Sequence, residues 1–407
     1  MKFEKLDTKF GIPLYVAETP TRKSVAAGVS IKAGSRDEVL PKEFGLAHAR
    51  EHMSFLGTLT LPDSLATTRL VDEVGGAIFA HTNRENILYS AIVPAESSSR
   101  AIHFACDLVF NPIYPEALIP TEIKNIIAEL RREEDDPGER MGYTVRKQLF
   151  GTHPLGRNIL GTTSSLNGFE RESFIEFDKR FITRNRLAFI AVGAIKKEDA
   201  RRLFETYGRE VSERYHQRIP VGSAKPDREK IESYAGISQS KIFLCALSGG
   251  AKERPALILD LFSKMIDGGS SSPLFQKIRH KIGNCYEVGA YFIMYSDVSI
   301  FTIYFGTDPQ NTERIKNEIL EIIYKSKSDI SLLNSSKIME TGHLILEGES
   351  NACVFQRAAE EITLFGQPKD YDEIMKEYES ITIDEMTETV DTYLKPEDFI
   401  YTEIRPA

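Results

Sequence analysis

Residues 48–52 read H-x-x-E-H, and this pentapeptide constrains the fold of the chain more than any other segment. Two histidines four positions apart project from the same face of an α-helix, one turn from each other. In that arrangement the imidazoles of His48 and His52 could both bind one Zn²⁺, at about 2.0–2.1 Å. Glu51 lies beside the same face, where its carboxylate could take a proton from water activated by the metal. The segment therefore predicts a helix that carries part of a zinc site.

A histidine is more often a surface or core residue than a metal ligand, so the flanking sequence matters. The segment from Phe44 to Leu56 is rich in apolar residues, and Gly57 suits the position just after a helix end. The chain has only 8 histidines in 407 residues, so the pattern would rarely arise by chance. We therefore expect a partly buried helix over residues 44–56, with His48 and His52 as metal ligands.

The composition excludes several classes of protein. A length of 407 residues suggests two or three domains, and 41% apolar with 27% charged residues is typical of a soluble globular chain. The net charge of −9 argues against a nucleic-acid partner, because there is no basic surplus to neutralise phosphates. The first residues form no apolar signal segment, and no run is long enough to span a membrane. We expect no membrane partner.

The four cysteines are Cys106, Cys245, Cys285 and Cys353, and they are widely separated. They form no C-x-x-C pair, which indicates free thiols in a reducing compartment. Cysteine ligation of the metal is therefore not expected, and the predicted location is the cytoplasm.

Predicted helices and strands follow two similar series along the chain. The first series has strands at 24–33, 78–93 and 187–192, and helices at 44–56, 64–74, 95–110, 120–134 and 197–207. The second has strands at 242–246 and within 285–305, and helices at 256–266, 273–282 and 311–325. Each contains a helix, a terminal glycine and then a long hairpin, which favours an internal duplication over the general likeness of any two α+β segments. We predict an α+β fold of two similar domains, each an antiparallel-rich sheet packed with helices.

The boundary between the two series is predicted near residue 219. Residues 219–226 contain two prolines and a glycine, and the regular patterns lapse there. We predict a zinc-binding catalytic domain over residues 1–218, a linker over 219–229, and a second domain over 230–407.

A third metal ligand is needed, because catalytic zinc usually has three protein ligands and one open position. Glu122 and Glu129 are seven residues apart and flank the apolar stripe of the helix at 120–134. This pattern favours their side of the helix but does not choose between them. The full set of candidates is His81, His103, His153, Glu122, Glu129, Glu133 and Glu134.

Residues 45–53 with Gly57-Thr58 resemble the zinc segment of the M16 metallopeptidases, the inverzincins that include pitrilysin, insulin-degrading enzyme and mitochondrial processing peptidase. The segments HPLG at 153–156 and GT at 161–162 are also similar to that family, as are residues 268–275 followed by Ile278-Arg279. The resemblance covers almost the whole chain. It implies the M16 or LuxS-like metallohydrolase plan for both domains.

The resemblance also assigns roles at the metal. The family places a glutamate ligand 77 residues after the second histidine, with another glutamate seven residues earlier, and Glu129 and Glu122 stand at these positions. It therefore implies Glu129 as the third ligand of one Zn²⁺ per chain and Glu122 as a residue that orients a ligand. Glu51 resembles the family's general base.

Arg279 and Tyr286 match a pair that the family carries seven residues apart in its second half. The resemblance implies that they contact the substrate backbone and stabilise the tetrahedral intermediate. On spacing alone they are an arginine on an amphipathic helix and a tyrosine that opens a strand. Short-chain members of the family form two-chain chambers, and this chain carries both the ligands and the pair. A homodimer is therefore expected.

Two residues depart from the family pattern. Phe79 stands where the family commonly has asparagine, within the segment Phe79, Ala80, His81 and Thr82 that is expected to contact substrate. Such a strand could still bind an extended peptide through its main chain. Arg50 replaces a residue that is usually apolar, and the sequence leaves open whether it faces outward, lays its stem along the surface or pairs with an acid.

The metal motif and the resemblance together predict a zinc endopeptidase. The resemblance alone implies that it cuts short or unfolded peptides inside a dimeric chamber. The alternative is a catalytically weak or silent homologue that serves as a partner or scaffold subunit. A structural zinc site is disfavoured, because such sites usually have four ligands and are rich in cysteine.

Overall fold

The computed structural model describes residues 1–214, 217–222, 226–283 and 285–407, with Tyr286 described by its backbone alone. Residues 223–225 of the predicted linker lie outside this description. Contacts divide the chain into two units, each built from three segments. The first unit comprises Met1–Arg132, Arg157–Ile219 and Leu346–Asp370; the second comprises Glu133–Gly156, Pro220–Ile345 and Tyr371–Ala407.

The helices are numbered in chain order. They are α1 (Leu46–Ser54), α2 (Ser64–Asp72), α3 (Ser98–Phe110), α4 (Ile119–Asp135), α5 (Pro137–Phe150), α6 (Thr163–Leu166), α7 (Arg171–Phe181), α8 (Lys197–Tyr207), α9 (Arg254–Asp267), α10 (Thr312–Ser326), α11 (Ile330–Glu347), α12 (Asn351–Phe365), α13 (Tyr371–Glu379) and α14 (Ile383–Tyr393). The helix predicted over residues 273–282 is observed as a π-helix at Phe275–Ile282.

The first unit contains a six-stranded sheet. Its strands are β1 (Glu4–Asp7), β2 (Pro13–Glu18), β3 (Ser24–Ile31), β4 (Ala77–Thr82), β5 (Ile87–Pro94) and β6 (Leu187–Gly193). They lie in the order β1-β2-β6-β3-β5-β4, and every neighbouring pair is antiparallel except β2 with β6. Strand β4 is therefore an edge strand, hydrogen-bonded to β5 on one side.

The second unit repeats this plan with five strands. They are β7 (Glu229–Tyr234), β8 (Ser240–Gly249), β9 (Cys285–Met294), β10 (Val298–Thr307) and β11 (Ile400–Pro406), in the order β7-β11-β8-β10-β9. The pair β7 and β11 is parallel, as β2 and β6 are, and the remaining pairs are antiparallel. Without β1, the two sheets have the same strand order and directions, which confirms the prediction of two similar α+β domains.

In each unit, one helix comes from a segment of the chain whose flanking segments belong to the other unit. Helix α5 packs on β11 in the second unit, although it precedes most of that unit in sequence. Helix α12 packs on β6 and β3 in the first unit, although it lies near the end of the chain. A division into continuous segments therefore does not describe the units, even though one change of unit falls between Ile219 and Pro220.

The strands of the first sheet have two distinct faces because side chains alternate along a strand. On β5, Ile87, Tyr89, Ala91 and Val93 belong to the core that also contains α1 and α3, as their alternation predicts. The residues between them point to the opposite face, on which α12 packs. Within the described residues, no helix combines the length and apolarity of a membrane span.

Candidate metal centre

Helix α1 begins where two segments of backbone approach closely. Gly45 has φ of 87°, and a Cβ added there would lie 2.3 Å from the carbonyl oxygen of Leu160, so only glycine fits. The buried carboxylate of Glu38 accepts hydrogen bonds from the backbone N–H groups of Gly45 and Ala47, each at 2.8 Å. These contacts satisfy N–H groups that the first turn of a helix cannot satisfy itself. They fix the start of the helix that carries the histidines.

Three predicted ligands converge at one point. Ligand atoms of His48, His52 and Glu129 all lie within 4.8 Å of one another. Glu129 Oε2 is 3.7 Å from His52 Nε2 and 4.0 Å from His48 Nε2. These distances are too long for hydrogen bonds. Two ligands of one tetrahedral zinc ion lie about 3.4 Å apart, given bonds of about 2.0–2.2 Å. The donor set therefore fits Zn²⁺ in both chemistry and spacing.

Glu122 contacts the outer nitrogen of one histidine. Its Oε1 lies 2.7 Å from His52 Nδ1, and Asn125 Nδ2 donates to its Oε2 at 3.1 Å. The hydrogen bond from His52 lowers the pKa of the Glu122 carboxyl. A ring that donates through Nδ1 has its Nε2 free to bind a metal, and such carboxylate partners are usual around zinc. The role expected for Glu122 is thus compatible with its position.

The two imidazoles have different electrostatic surroundings. Burial, with the neighbouring His52 ring as a smaller cause, lowers the pKa of His48 to about 3. Burial also lowers the pKa of His52, but the hydrogen bond and charge of Glu122, together with the charges of Glu51 and Glu129, outweigh it, so the net shift is upward. Burial therefore favours the neutral form of His48, which is the form that binds a metal.

Glu51 is held between the metal centre and the edge of the sheet. The residue is only 8% exposed, and its Oε2 accepts a hydrogen bond from the Thr82 hydroxyl at 2.6 Å. Burial raises the pKa of the Glu51 carboxyl, while the Thr82 bond opposes that rise. The predicted base therefore lies directly beside the last residue of β4.

Arg50 is a buried anchor for α1. Its side chain is 0% exposed and donates to Asp178 Oδ1 (2.9 Å), the Tyr89 hydroxyl (2.8 Å) and the Val109 carbonyl (2.9 Å). Burial alone would lower the pKa of Arg50, but the Asp178 carboxylate raises it well above its ordinary value. Of the roles left open by the sequence, pairing with an acid is the one observed. Arg50 ties α1 to α7, β5 and α3.

The expected substrate segment is the edge strand β4. Ile78 and Ala80 pack against the core, and Thr82 points the same way, toward Glu51. Phe79 and His81 point to the opposite face, and Phe79 is 45% exposed. The outer side of β4 has no strand beside it in the described structure. Extended peptide could therefore pair with this edge.

The remaining histidine candidates lie away from the ligand cluster. His81 Nε2 is buried with no hydrogen-bond partner among the described residues, and burial lowers the pKa of this ring. His103 hydrogen-bonds to Thr60 at 2.9 Å and stacks on Tyr207 at 4.5 Å. His153 Nδ1 accepts from the backbone N–H of Leu155 at 3.2 Å. None of these three rings belongs to the metal cluster found in the described residues.

Arg279 and Tyr286 both belong to the second unit. Arg279 is exposed on the π-helix, and its guanidinium lies 4.8 Å from the centre of the Phe275 ring. Tyr286 lies in β9, and its side chain is outside the described part of the chain. Their role toward substrate stays a prediction.

Two supporting residues were not found from the sequence. Glu38 caps the metal helix, and Asp178 holds both Arg50 and the Tyr114 hydroxyl, the latter at 2.7 Å. Neither belongs to a local motif. The sequence offered one signal for Asp178, namely Arg50 inside an apolar helix, because a buried arginine needs an acidic partner.

Comparison with known proteins agrees with this site. Residues 14–163 match the family model described as Insulinase (Peptidase family M16). Residues 168–332 match the model described as Peptidase M16 inactive domain. The chain belongs to the M16 peptidase family.

Curated relatives of this M16 chain are named as zinc proteases. The uncharacterized zinc protease YmxG of Bacillus subtilis is 29% identical over 384 residues, covering 92% of this chain and 91% of that protein. An uncharacterized zinc protease of Streptomyces coelicolor is 24% identical, with 92% and 84% covered. These names support zinc as the metal at His48, His52 and Glu129.

Solved structures show the same fold over the whole chain. A protease from Helicobacter pylori matches with a TM-score of 0.90 at 18% identity, covering 100% of this chain and 99% of that one. A chain of Complex III2 from Candida albicans matches with a TM-score of 0.82 at 14% identity, covering 98% and 95%.

Proposed function

We propose that this M16 protein is a zinc-dependent endopeptidase that hydrolyses short or unfolded peptides. The observation that carries the proposal is the convergence of His48, His52 and Glu129, with the Glu51 carboxylate beside them. The alternative is a silent partner subunit. Such a subunit would need neither an intact set of metal ligands nor a buried carboxylate beside β4, the strand that would bind the peptide.

Each residue of the site would have a separate part in hydrolysing the peptide bond. Zinc bound here would supply Lewis acidity that polarises the scissile carbonyl and activates water. Glu51 would take the proton of the attacking water and deliver it to the leaving amine. The Thr82 hydroxyl, 2.6 Å from Glu51, would keep that carboxylate aimed at the peptide paired with β4. Glu122 would hold His52 in the tautomer that presents Nε2 to the metal.

We further propose a homodimer with one zinc per chain, in which Arg279 and Tyr286 of each copy complete the site of the other. Their donors would stabilise the oxyanion that forms on the substrate. A closed chamber of this kind would admit only short or unfolded peptides. A cytoplasmic location stays a prediction from the sequence.

The catalytic proposal is tested on the purified protein. Zinc content is measured, and cleavage of a quenched peptide is followed with and without chelator. Glu51→Gln should keep zinc and lose roughly 10²–10⁴-fold in rate, because it removes the proton acceptor but no ligand. Turnover retained in Glu51→Gln would falsify the role of the base. A zinc-loaded wild-type protein that cleaves no peptide would favour the partner-subunit alternative.

The dimer is tested by complementation. Glu51→Gln and Arg279→Ala copies are each expected to be inactive. If sites form between copies, a mixed dimer contains one intact site and regains part of the wild-type activity. If each site forms within one chain, the mixture stays inactive. Light scattering gives the oligomeric state in the same samples.

A further inference from the structure

A cavity lies on the face of the first sheet that is opposite the metal centre. Its volume is about 440 Å³. Helix α12 packs mainly on β6 and β3, so the surface of the sheet toward the edge strand β4 is left open. The cavity is lined by Ala26, Phe79, Ser90, Ala91 and Ile92 from the sheet, and by Glu347, Ala352, Cys353, Phe355, Gln356, Arg357 and Glu360 from the helical side.

The lining combines apolar walls with the Glu360 carboxylate, which lies near Arg357 but forms no salt bridge with it among the described residues. Glu360 accepts a hydrogen bond from the neutral amide of Gln356 at 3.2 Å, and it forms no ion pair within the described residues. The nearby Arg357 is engaged by Glu347, to which its Nη2 donates at 2.6 Å. Desolvation raises the pKa of the Glu360 carboxyl, and the Gln356 hydrogen bond and the Arg357 charge oppose that rise. A ligand that brings both apolar surface and a positive charge would complement this lining.

The cavity is reached from the same edge strand that would bind the peptide. Side chains of a peptide paired with β4 alternate between two faces. Those on the Thr82 face point toward Glu51, and those on the Phe79 face point toward the cavity. Diagonal neighbours across a strand pair are about 7–8 Å apart, which long side chains can span.

We propose that this cavity is a specificity site that takes a lysine or arginine side chain of the substrate. This inference rests on the proposed peptidase function. The methylene stem would cross the Phe79 ring and the apolar floor, and the cationic head would lie at Glu360. Phe79, where the family commonly has asparagine, gives this chain the apolar wall that the stem needs.

The first test does not depend on catalysis. Cys353 lines the cavity and is exposed, whereas Cys106, Cys245 and Cys285 are buried. Its thiol should react several-fold faster with a cationic methanethiosulfonate reagent than with an anionic one of similar size, because Glu360 attracts the cation. Glu360→Gln should remove this difference, and Glu198→Gln, an exposed site on α8 outside the cavity, should not. Equal rates for both reagents in the wild type would overturn the assignment.

The second test uses matched peptides in which arginine or citrulline is placed at successive positions. At one position, kcat/KM should favour arginine about tenfold, and Glu360→Gln should reduce the preference below twofold. The Glu198→Gln control should keep it. An arginine preference that persists in Glu360→Gln overturns the specificity site. If no peptide is cleaved by the wild type, the peptidase proposal fails, and the reagent rates at Cys353 still decide the charge of the cavity.

Discussion

Two clusters of polar residues occupy corresponding places in the two units. In the first unit, His48 and His52 lie four residues apart on α1, the first α-helix after β3. In the second, Asp260 and Lys264 lie four residues apart on α9, the first α-helix after β8. A long helix then adds a glutamate to each cluster. The glutamate of α4 follows the second histidine by 77 residues, and that of α11 follows the lysine by 76.

The distances between the polar atoms of each cluster differ, and the difference indicates what each cluster can hold. Lys264 Nζ lies 2.6 Å from Glu340, 3.0 Å from Asp260 and 3.2 Å from the Tyr378 hydroxyl. In the first unit, His52 Nε2 and Glu129 stay 3.7 Å apart. The second cluster is closed by an ammonium group of the chain, whereas the first leaves room for an ion between its donors. The same plan of elements thus holds the ammonium group of Lys264 in the second unit, and in the first unit it leaves space that a metal cation would fill.

The largest expected effect comes from a matched pair of glutamates. Glu129→Gln should abolish zinc retention and cleavage, because it removes the anionic ligand. Glu340→Gln should leave both intact, since Glu340 contacts Lys264 and His343 and no residue of the first cluster among the described contacts. Zinc per chain after dialysis, with peptide cleavage, measures the difference. Loss of zinc in Glu340→Gln would contradict the conclusion that only the first cluster is needed for zinc binding.

Arg50→Met should destabilise the protein by roughly 3–5 kcal/mol, because Asp178 is left without its cation and α1 loses three hydrogen bonds. Urea unfolding of the metal-free protein gives the change in free energy. Arg50→Lys keeps the positive charge but not the hydrogen-bond geometry of the guanidinium, so its loss of unfolding free energy should be smaller than that of Arg50→Met. A wild-type unfolding curve for Arg50→Met would show that α1 does not need this anchor.

Lys264→Met should cost about 2–3 kcal/mol, less than Arg50→Met because the lysine side chain is 32% exposed. The double change with Glu340→Gln should recover part of this loss, since it removes one of the carboxylates left unpaired. Urea unfolding measures both variants, and zinc content should be unchanged. Loss of zinc in Lys264→Met would mean that the two clusters are not independent.

The smallest effect is expected at Glu122. Glu122→Gln should weaken zinc binding roughly 10–100-fold without changing stability, because it alters the partner of His52 and not a ligand. Glu134→Gln, an exposed change on the same helix, is the control. Competition with a fluorescent zinc chelator measures both affinities. Equal affinities would assign Glu122 no part in the metal site.

The sequence alone determined features that depend on neighbours along the chain. The spacing of His48, Glu51 and His52 defined one face of a helix, and the alternation along β5 gave its buried residues. The seven-residue spacing put Glu122 and Glu129 on one side of α4, but it did not choose between them. These features follow from the periods of 3.6 and 2, which are local properties of the backbone.

Only the tertiary structure decided the contacts between distant segments. It placed Glu129 beside both imidazoles and Glu122 behind one of them. It paired Arg50 with Asp178, 128 residues away, and it placed α5 in the second unit and α12 in the first. The sequence patterns could not give these results, because packing between remote segments depends on how all the apolar faces fit together and not on spacing within one helix or strand.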